Sequence, residues 1–542
     1  MKKIAFLIMV LTIISKITGF LREMTLSYFF GADDITDAYF IAQTIPRTLF
    51  RFIGAGVAAA FIPLYTKVRK QEGGKAARHF TNQVLNLGFV FSTIIVVTTL
   101  IFPEAVLFVF ASGFEGAQKD TAILFLRIMV FSTYFMSMQH IFKGFLHAND
   151  TYWAPALVGL PMNAIIIASI YLASNQDPAI LAYGFVIAAA SQIIFMAPMV
   201  LKHNFKYKFN FSLKDDKTRL FLITVVPIII SVGVSDINQI ISQNIASQFP
   251  QGSVSALNYA KRLQGFVRGI IIVAVTTAMF PLISRMAASN NIKGLKKVLR
   301  ESVNLSMLIL LPAAIGGMVF AYEIVDLVFG RGQFQDTAVQ MAGSVLFFLV
   351  LILPFQGISQ TFKRAFFSLG DTKTPVINTF IGVTIKLTLS LGIFFFTDLQ
   401  VEGLALATLL TSMMTTLILV MLLRNKVGAL GLKNMLTTFI KVAVAATAMA
   451  VAARSMYTFV YVPLGTRIDM RFIEEMTTIA AIGTGMIVYG LLVLMLRIDE
   501  VDIIVDLLKR KVLTRLPIVN KYVKVETKDT PRDIYADDDS WE

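Results

Sequence analysis

The sequence contains no cysteine in 542 residues, which excludes disulfide frameworks, thiolate metal centres, iron–sulfur clusters and cysteine nucleophiles. Histidine is scarce as well. His79, His140, His147 and His203 are the only four, and they form neither an HExxH arrangement nor a paired ligand spacing. No GxxxxGK[ST] loop is present, so work driven by a nucleotide bound to this chain is not expected. There is no catalytic triad and no carboxylate pair with supporting groups, which leaves little basis for an enzyme. Charge is the remaining shortage: Asp, Glu, Lys and Arg make up 15% of the chain, where a water-soluble protein has about a quarter.

Apolar residues fill the space, at 56% of the chain and a mean hydropathy of +0.71. A helix crossing about 30 Å of hydrocarbon needs roughly 20 such residues, and the chain reads as an all-α polytopic membrane protein. Fourteen spans are expected near 4–30, 35–66, 80–111, 120–147, 152–173, 178–202, 218–247, 253–286, 298–329, 336–368, 373–397, 401–424, 434–460 and 473–496. Met1-Lys-Lys before an apolar run imitates a signal peptide. No small-residue cleavage site follows, so the run reads as an uncleaved first helix.

Loop charge sets the expected topology. Lys67, Arg69, Lys70, Lys75 and Arg78 cluster after the second span, and alternate loops repeat the pattern through Arg424, Lys426 and Lys433. The loops between them, such as 31–34, 174–177, 249–253 and 398–402, hold no Lys or Arg. By the positive-inside rule both termini face the cytoplasm. The net charge of +15 therefore belongs to membrane topology, and nucleic acid is not an expected partner. After the last span, Val501, Ile504, Val505 and Leu508 fall on one helical face beside Lys509, Arg510 and Lys511, as in a helix lying on an anionic membrane surface. The acidic tail from Lys528 reads as disordered.

An internal repeat underlies the spans. Phe142-Lys143 with Pro155 recurs as Phe362-Lys363 with Pro375, an offset of 220, while Pro63-Leu64 recurs as Pro281-Leu282 at 218 and Gly184 as Gly403 at 219. Duplication of a six-helix block gives two lobes of the same orientation, 1–216 and 217–430, with two further helices over 431–498 and the surface helix and tail over 499–542. Parallel-repeat transporters bind substrate between such halves.

Ionisable residues inside spans are the candidate site. Lys16, Arg22 and Glu23 lie in the first helix, Asp37, Arg47 and Arg51 in the second, Asp236 in the seventh, and Lys261, Arg262 and Arg268 in the eighth. Facing lipid, the set costs on the order of 25 kcal/mol. These side chains must face one another or water. Seven cations meet three carboxylates, which implies an anionic ligand, and arginine's planar fork suits phosphate. Arg47 and Arg51, four apart, share a helix face. Arg127 and Lys386 read as side chains that snorkel to an interface or pair locally, and Gly54-Ala-Gly56 as close helix packing.

The residues Ser15-Lys-Ile-Thr-Gly-Phe-Leu-Arg22, Thr36-Asp-Ala-Tyr39, Ile45-Pro46, Ala59-Ala-Phe-Ile-Pro63, Ala256-Leu-Asn-Tyr-Ala-Lys-Arg262 and Ser368-Leu-Gly-Asp-Thr-Lys-Thr-Pro375 together resemble the MurJ (MviN) lipid II flippases of the MOP exporter superfamily. The resemblance runs from the first helix through the twelfth. It implies alternating access by two lobes around a cationic cavity, a groove for a polyprenyl tail, and movement of lipid II to the outer leaflet of the bacterial cytoplasmic membrane for peptidoglycan synthesis. Arg22, Asp37 and Arg262 match the family's functional positions directly, and with Lys16, Arg47, Arg51 and Arg268 from the mid-span charges they make the expected substrate-binding set. An ion site of some relatives maps onto Asp236 and Asn378, implying coupling to a monovalent cation; no other cofactor is implied. The implied partners are lipid II, membrane lipids and cell-wall synthases. The sequence departs from the family pattern at Lys16, usually Arg, at Phe50, usually the first of two arginines, and at Ala55, commonly Glu. A flippase for another undecaprenyl-linked glycan and a non-transporting cell-wall scaffold are the alternatives. A drug exporter of the same superfamily would call for an acidic cavity.

Overall fold

The computed structural model describes residues 2–209, 212, 215–464, 470–496 and 498. The surface helix and acidic tail expected over 499–542 lie outside the described residues. Every regular element among the described residues is helical. In order they are α1 (Lys2–Phe30), α2 (Asp34–Gly56), a π-helical turn (Val57–Phe61), α3 (Ile62–Ile101), α4 (Pro103–Phe110), α5 (Gly116–Met129), α6 (Ser132–Ala148), α7 (Trp153–Leu157), α8 (Gly159–Asn175), α9 (Ala179–Lys202) and α10 (Asp216–Ala246). They continue with α11 (Ser253–Ala288), α12 (Ile292–Val319), α13 (Ala321–Phe329), α14 (Asp336–Val350), α15 (Ile352–Ser368), α16 (Lys373–Phe396), α17 (Val401–Val427), α18 (Leu432–Leu464) and α19 (Met470–Met495).

The protein is an all-α, multi-spanning membrane protein. Among the described residues nine helical stretches are long and apolar enough to cross a bilayer, and α5 with α6, bent by 45°, makes a tenth when read as one span. One of the nine runs from Asp34 to Ile101 and contains the second expected span and the larger part of the third. Gly73 separates them: its φ of +86° and ψ of 173° break the helix in a region that glycine enters without a Cβ penalty. Exposed apolar side chains are numerous, Phe396, Phe459, Ile194 and Met495 among them. In water such a surface would aggregate; in a bilayer it faces hydrocarbon.

Local chemistry fixes the helix starts. The Asp33 side chain accepts from the Thr36 amide at 3.0 Å while the Thr36 hydroxyl accepts from the Asp33 amide at 2.8 Å, a reciprocal cap on α2. Asp215 caps α10 through the Thr218 amide, and Asn291 caps α12 through the Gly294 amide. In the Asp-Thr-Lys-Thr-Pro element, Asp371 receives the Lys426 ammonium at 2.7 Å and the Thr374 amide at 3.0 Å. These hydrogen bonds, Lys426 foremost, hold its carboxyl at about 2, below the ordinary carboxylate range.

The breaks in the helices repeat at the spacing of the sequence motifs. The third expected span is interrupted at Phe102 and the ninth at Phe320, 218 residues later; the fourth is interrupted at Phe131 and the tenth at Leu351, 220 later. Pro103 accounts for the first of these, since its ring cannot continue the helix of α3. No proline stands at Phe320, so the geometry recurs without the residue that causes it in the first copy. Buried phenylalanines flank the following loop in both copies, Phe110 with Phe114 and Phe329 with Phe334.

Packing divides the chain into two compact units, Met1–Leu263 with Tyr322–Leu346 and Thr379–Thr408, and Gln264–Ala321 with Phe347–Asn378 and Leu409–Glu542. The core of the first is aromatic: Phe61 stacks on Phe80 at 5.5 Å, with Phe142, Phe145, Phe205 and Phe221 around them. The core of the second is aliphatic, with Leu295, Leu299, Leu419 and Leu423 closing on Phe362 and Phe366. A satellite cluster in that unit joins α12, α18 and α19 through Leu308, Leu311, Val442 and Val493. The Tyr489 hydroxyl donates to the Leu308 carbonyl at 2.6 Å, satisfying the phenol in apolar surroundings.

Candidate functional site

The charged residues expected to form a site divide between the units, and most belong to the first. Arg22 and Glu23 sit in α1 with 8% and 4% of their surface exposed. Adjacent helical residues do not share a face, yet Arg22 reaches back to place Nη2 2.5 Å from Glu23 Oε1. Its Nη1 donates to Asn163 Oδ1 of α8 at 3.1 Å, and Asn163 in turn donates to the Thr18 hydroxyl at 2.9 Å. Arg262 of α11 comes to the same Glu23 oxygen, Nε to Oε1 at 3.4 Å. One carboxylate thus serves two guanidinium groups. The Arg262 side chain remains 39% exposed, so it keeps donors free for another partner while those of Arg22 are held within the protein.

The second helix supplies two more cations. The Arg47 guanidinium lies over the Phe185 ring of α9 at 5.3 Å. Arg51 pairs with Asp236 of α10 and donates to Gln239 Oε1 at 3.3 Å, with half its side chain exposed. Both line a cavity of about 720 Å³ between α2, α6 and α9, whose other polar walls are Gln139, His140, Lys143, His147 and Gln192. Two glycines permit this approach of α2 to α6. A Cβ at Gly54 would meet the His140 ring at 2.8 Å, and one at Gly144 would meet Val57 at 2.5 Å, as the expectation of close packing around Gly54-Ala-Gly56 anticipates. The π turn at Val57–Phe61 follows directly, and its Val57 and Ala58 continue the cavity wall.

Asp37 is placed differently from the cations. Fully buried, it accepts from the Gly252 amide at 2.9 Å and the Ser255 amide at 2.7 Å, and so caps the first turn of α11 from a helix more than two hundred residues away in sequence. Its contacts are structural. Asp37→Ala will leave two buried amide donors of α11 without acceptors, a loss on the order of 2 kcal/mol, read as a lowered thermal unfolding midpoint in detergent. Restoration of full stability by a ligand of the cationic site alone would contradict this assignment.

Lys16 is exposed on α1, and Arg268 is exposed in the second unit. Asp236 is 1% exposed, and its Oδ2 accepts no hydrogen bond among the described residues. Asn378 is 2% exposed in the second unit, and its Oδ1 is likewise without a donor among the described residues. Lys386 does not snorkel: it is 7% exposed, and its ammonium donates to the Asn238 carbonyl of α10 at 3.0 Å. No cluster of His, Cys, Asp and Glu able to hold a metal occurs among the described residues. Asn163, Phe185 and Lys143 join the site only in three dimensions, although a polar Asn163 in the apolar run of α8 was a legible signal.

Residues 26–466 match the family model described as lipid II flippase MurJ. A probable lipid II flippase MurJ of Rhizobium meliloti (strain 1021) is 29% identical over 420 residues, covering 75% of this chain and 78% of the relative. The lipid II flippase MurJ of Burkholderia cenocepacia (strain ATCC BAA-245 / DSM 16553 / LMG 16656 / NCTC 13227 / J2315 / CF5610) is 26% identical over 393 residues, covering 71% and 76%. Among solved structures, a lipid II flippase MurJ in an inward closed conformation aligns at a TM-score of 0.75 and 25% identity over 90% of this chain and 98% of that one. An inward-facing multidrug resistance MATE family transporter of the MOP superfamily aligns at 0.65 and 14% identity, over 79% and 98%, a likeness of fold.

Proposed function

We propose that this chain, which belongs to the lipid II flippase MurJ family, moves lipid II from the inner to the outer leaflet of the bacterial cytoplasmic membrane by alternating access. It is a multi-pass inner-membrane protein of a transporter family. The observation that carries the finer reading is the charge balance in the first unit. Glu23 receives both Arg22 and Arg262, Asp236 receives Arg51, and Arg47 lies over an aromatic face with no carboxylate paired to it among the described residues. The cations outnumber the carboxylates that meet them, and the excess calls for an anion.

A diphosphate fits that call. Its oxygens accept the paired N–H groups of a guanidinium fork, and Arg262 and Arg51 are the two arginines of the set that combine a carboxylate anchor with substantial exposure. In this reading Arg22 positions Glu23, Arg47 and Lys16 add positive field, Arg268 approaches the head group in another state, and the lipid tail stays in hydrocarbon. The sequential lobes 1–216 and 217–430 are the moving halves, with 431–498 flanking them. The recurrence of helix breaks at 218 and 220 residues supports two equivalent halves, and loop charge supports fourteen spans with cytoplasmic termini. The membrane potential can drive the cycle, at about 2.3 kcal/mol per elementary charge per 100 mV.

One departure favours a second reading, a flippase for another undecaprenyl-linked glycan. Phe50 stands where the family commonly has arginine, and it is fully buried against Phe91, which removes a phosphate donor from α2. The test is direct. Purified chain reconstituted into vesicles with lipid II should move the lipid across leaflets faster than protein-free vesicles do; equal rates with a folded protein would overturn the lipid II assignment, and transport of a different undecaprenyl-linked glycan would establish the second reading.

A further inference from the structure

Lys386 is a buried cation that the flippase reading does not use. It lies in α16 among apolar residues, where an ammonium without a partner is expensive, and its hydrogen bond goes to a neutral backbone carbonyl, Asn238 O of α10, at 3.0 Å. That oxygen also accepts from the Ser242 hydroxyl at 3.0 Å. Two residues before it on the same helix, Asp236 is taken by Arg51 from α2, which also holds Gln239. The 236–239 segment of α10 is thus contacted by two side-chain cations, one on its carboxylate and one on its carbonyl.

Carboxylate and backbone carbonyl oxygens are the hard ligands that an inorganic cation selects. Here those oxygens already bind positive nitrogen. Against Arg51 and Lys386 the segment offers one carboxylate, so its charge is positive before any ion arrives. Asp236 Oδ2 and the Asn238 side-chain oxygen are the buried side-chain oxygens of the segment left without a donor among the described residues, and two oxygens on a segment already holding two cations are a poor ligand set for a further one.

We propose that Lys386 is a tethered monovalent cation: its ammonium occupies the α10 carbonyl that an inorganic ion would use, and the chain binds and requires no sodium, potassium or lithium. Coupling through Asp236, which the family resemblance implied, is then replaced by charge built into the chain. The transport consequence rests on the flippase reading; the binding claim does not.

The decisive experiment titrates the full-length protein in detergent with NaCl, KCl and LiCl against N-methyl-D-glucamine chloride at matched ionic strength, reading the unfolding midpoint. An ion that binds only the folded state raises the midpoint with its concentration. The wild type and Lys386→Arg should show no cation-specific rise, whereas Lys386→Met should acquire one that Asp236→Asn removes. A cation-specific rise in the wild type, or none in a folded Lys386→Met, overturns the proposal. Lys386→Gln replaces the methionine variant if that one fails to fold. In vesicles, exchanging sodium for N-methyl-D-glucamine should change wild-type lipid II transport by less than about fivefold, the lower end of ordinary coupling. A wild type that moves no lipid II in any salt counts against the flippase reading, and the titration still decides this one.

Discussion

Glu23→Ala will cost the protein more stability than any other single substitution in the cationic set. The carboxylate is 4% exposed and is the counter-charge of both Arg22 and Arg262. Removing one partner of a buried ion pair typically costs about 3–5 kcal/mol, because the remaining charge stays buried without compensation. Arg22 is the charge at issue: its other hydrogen bond, to Asn163, is to a neutral amide. A loss of that size approaches the whole stability of many folds, about 5–15 kcal/mol. The variant should therefore be poorly produced, with a sharply lowered unfolding midpoint. Glu23→Gln, which keeps the shape and one acceptor, should fall between the two. A Glu23→Ala protein as stable as the wild type would show that water or lipid head groups reach Arg22 and that the site is far wetter than its burial indicates.

Arg262→Ala is expected to act in the opposite way, leaving the fold and removing transport. Glu23 keeps Arg22 as its partner, and the Arg262 side chain is already 39% exposed, so the cost to stability should be small. Its value lies in the donors it offers an incoming phosphate. A hydrogen bond to a charged group contributes about 1.5–3 kcal/mol, which corresponds to roughly a 10- to 100-fold loss of substrate affinity on truncation. Arg262→Lys should recover charge without the fork and so recover only part of the loss. Binding of lipid II to the purified variants, set beside their unfolding midpoints, checks both halves. Unchanged affinity in Arg262→Ala would move the phosphate site away from α11.

How far the site was legible in the sequence depends on the range of each interaction. Mid-span charge is visible in one dimension, because nothing else makes Arg22, Arg47, Arg51 and Arg262 acceptable in apolar runs. The shared face of Arg47 and Arg51 follows from helical spacing, and both line the same cavity. The helix-capping role of Asp37 was not legible: its partners Gly252 and Ser255 lie over two hundred residues away, and no local pattern distinguishes a cap on a distant helix from a ligand contact. Lys386 was ambiguous for a related reason. A lysine in an apolar helix looks the same whether it snorkels or is buried, and only the position of the Asn238 carbonyl separates the two. The helix breaks were partly legible. Pro103 marks the break at Phe102 and Pro354, which cannot bond the Val350 carbonyl, marks the break at Leu351, but the breaks at Phe131 and Phe320 carry no proline signal of their own.

The central claim, that lipid II crosses the membrane on the cationic side chains of this chain, is tested most directly in cells. In a bacterial host depleted of its resident lipid II flippase, one expresses the wild type or an Arg51→Ala/Arg262→Ala variant and quantifies lipid-linked precursor exposed on the outer leaflet. The account predicts that the wild type restores growth and exposure while the variant, present at the same level in the membrane, restores neither. A well-produced wild type that restores neither, or a variant that restores both, would contradict it.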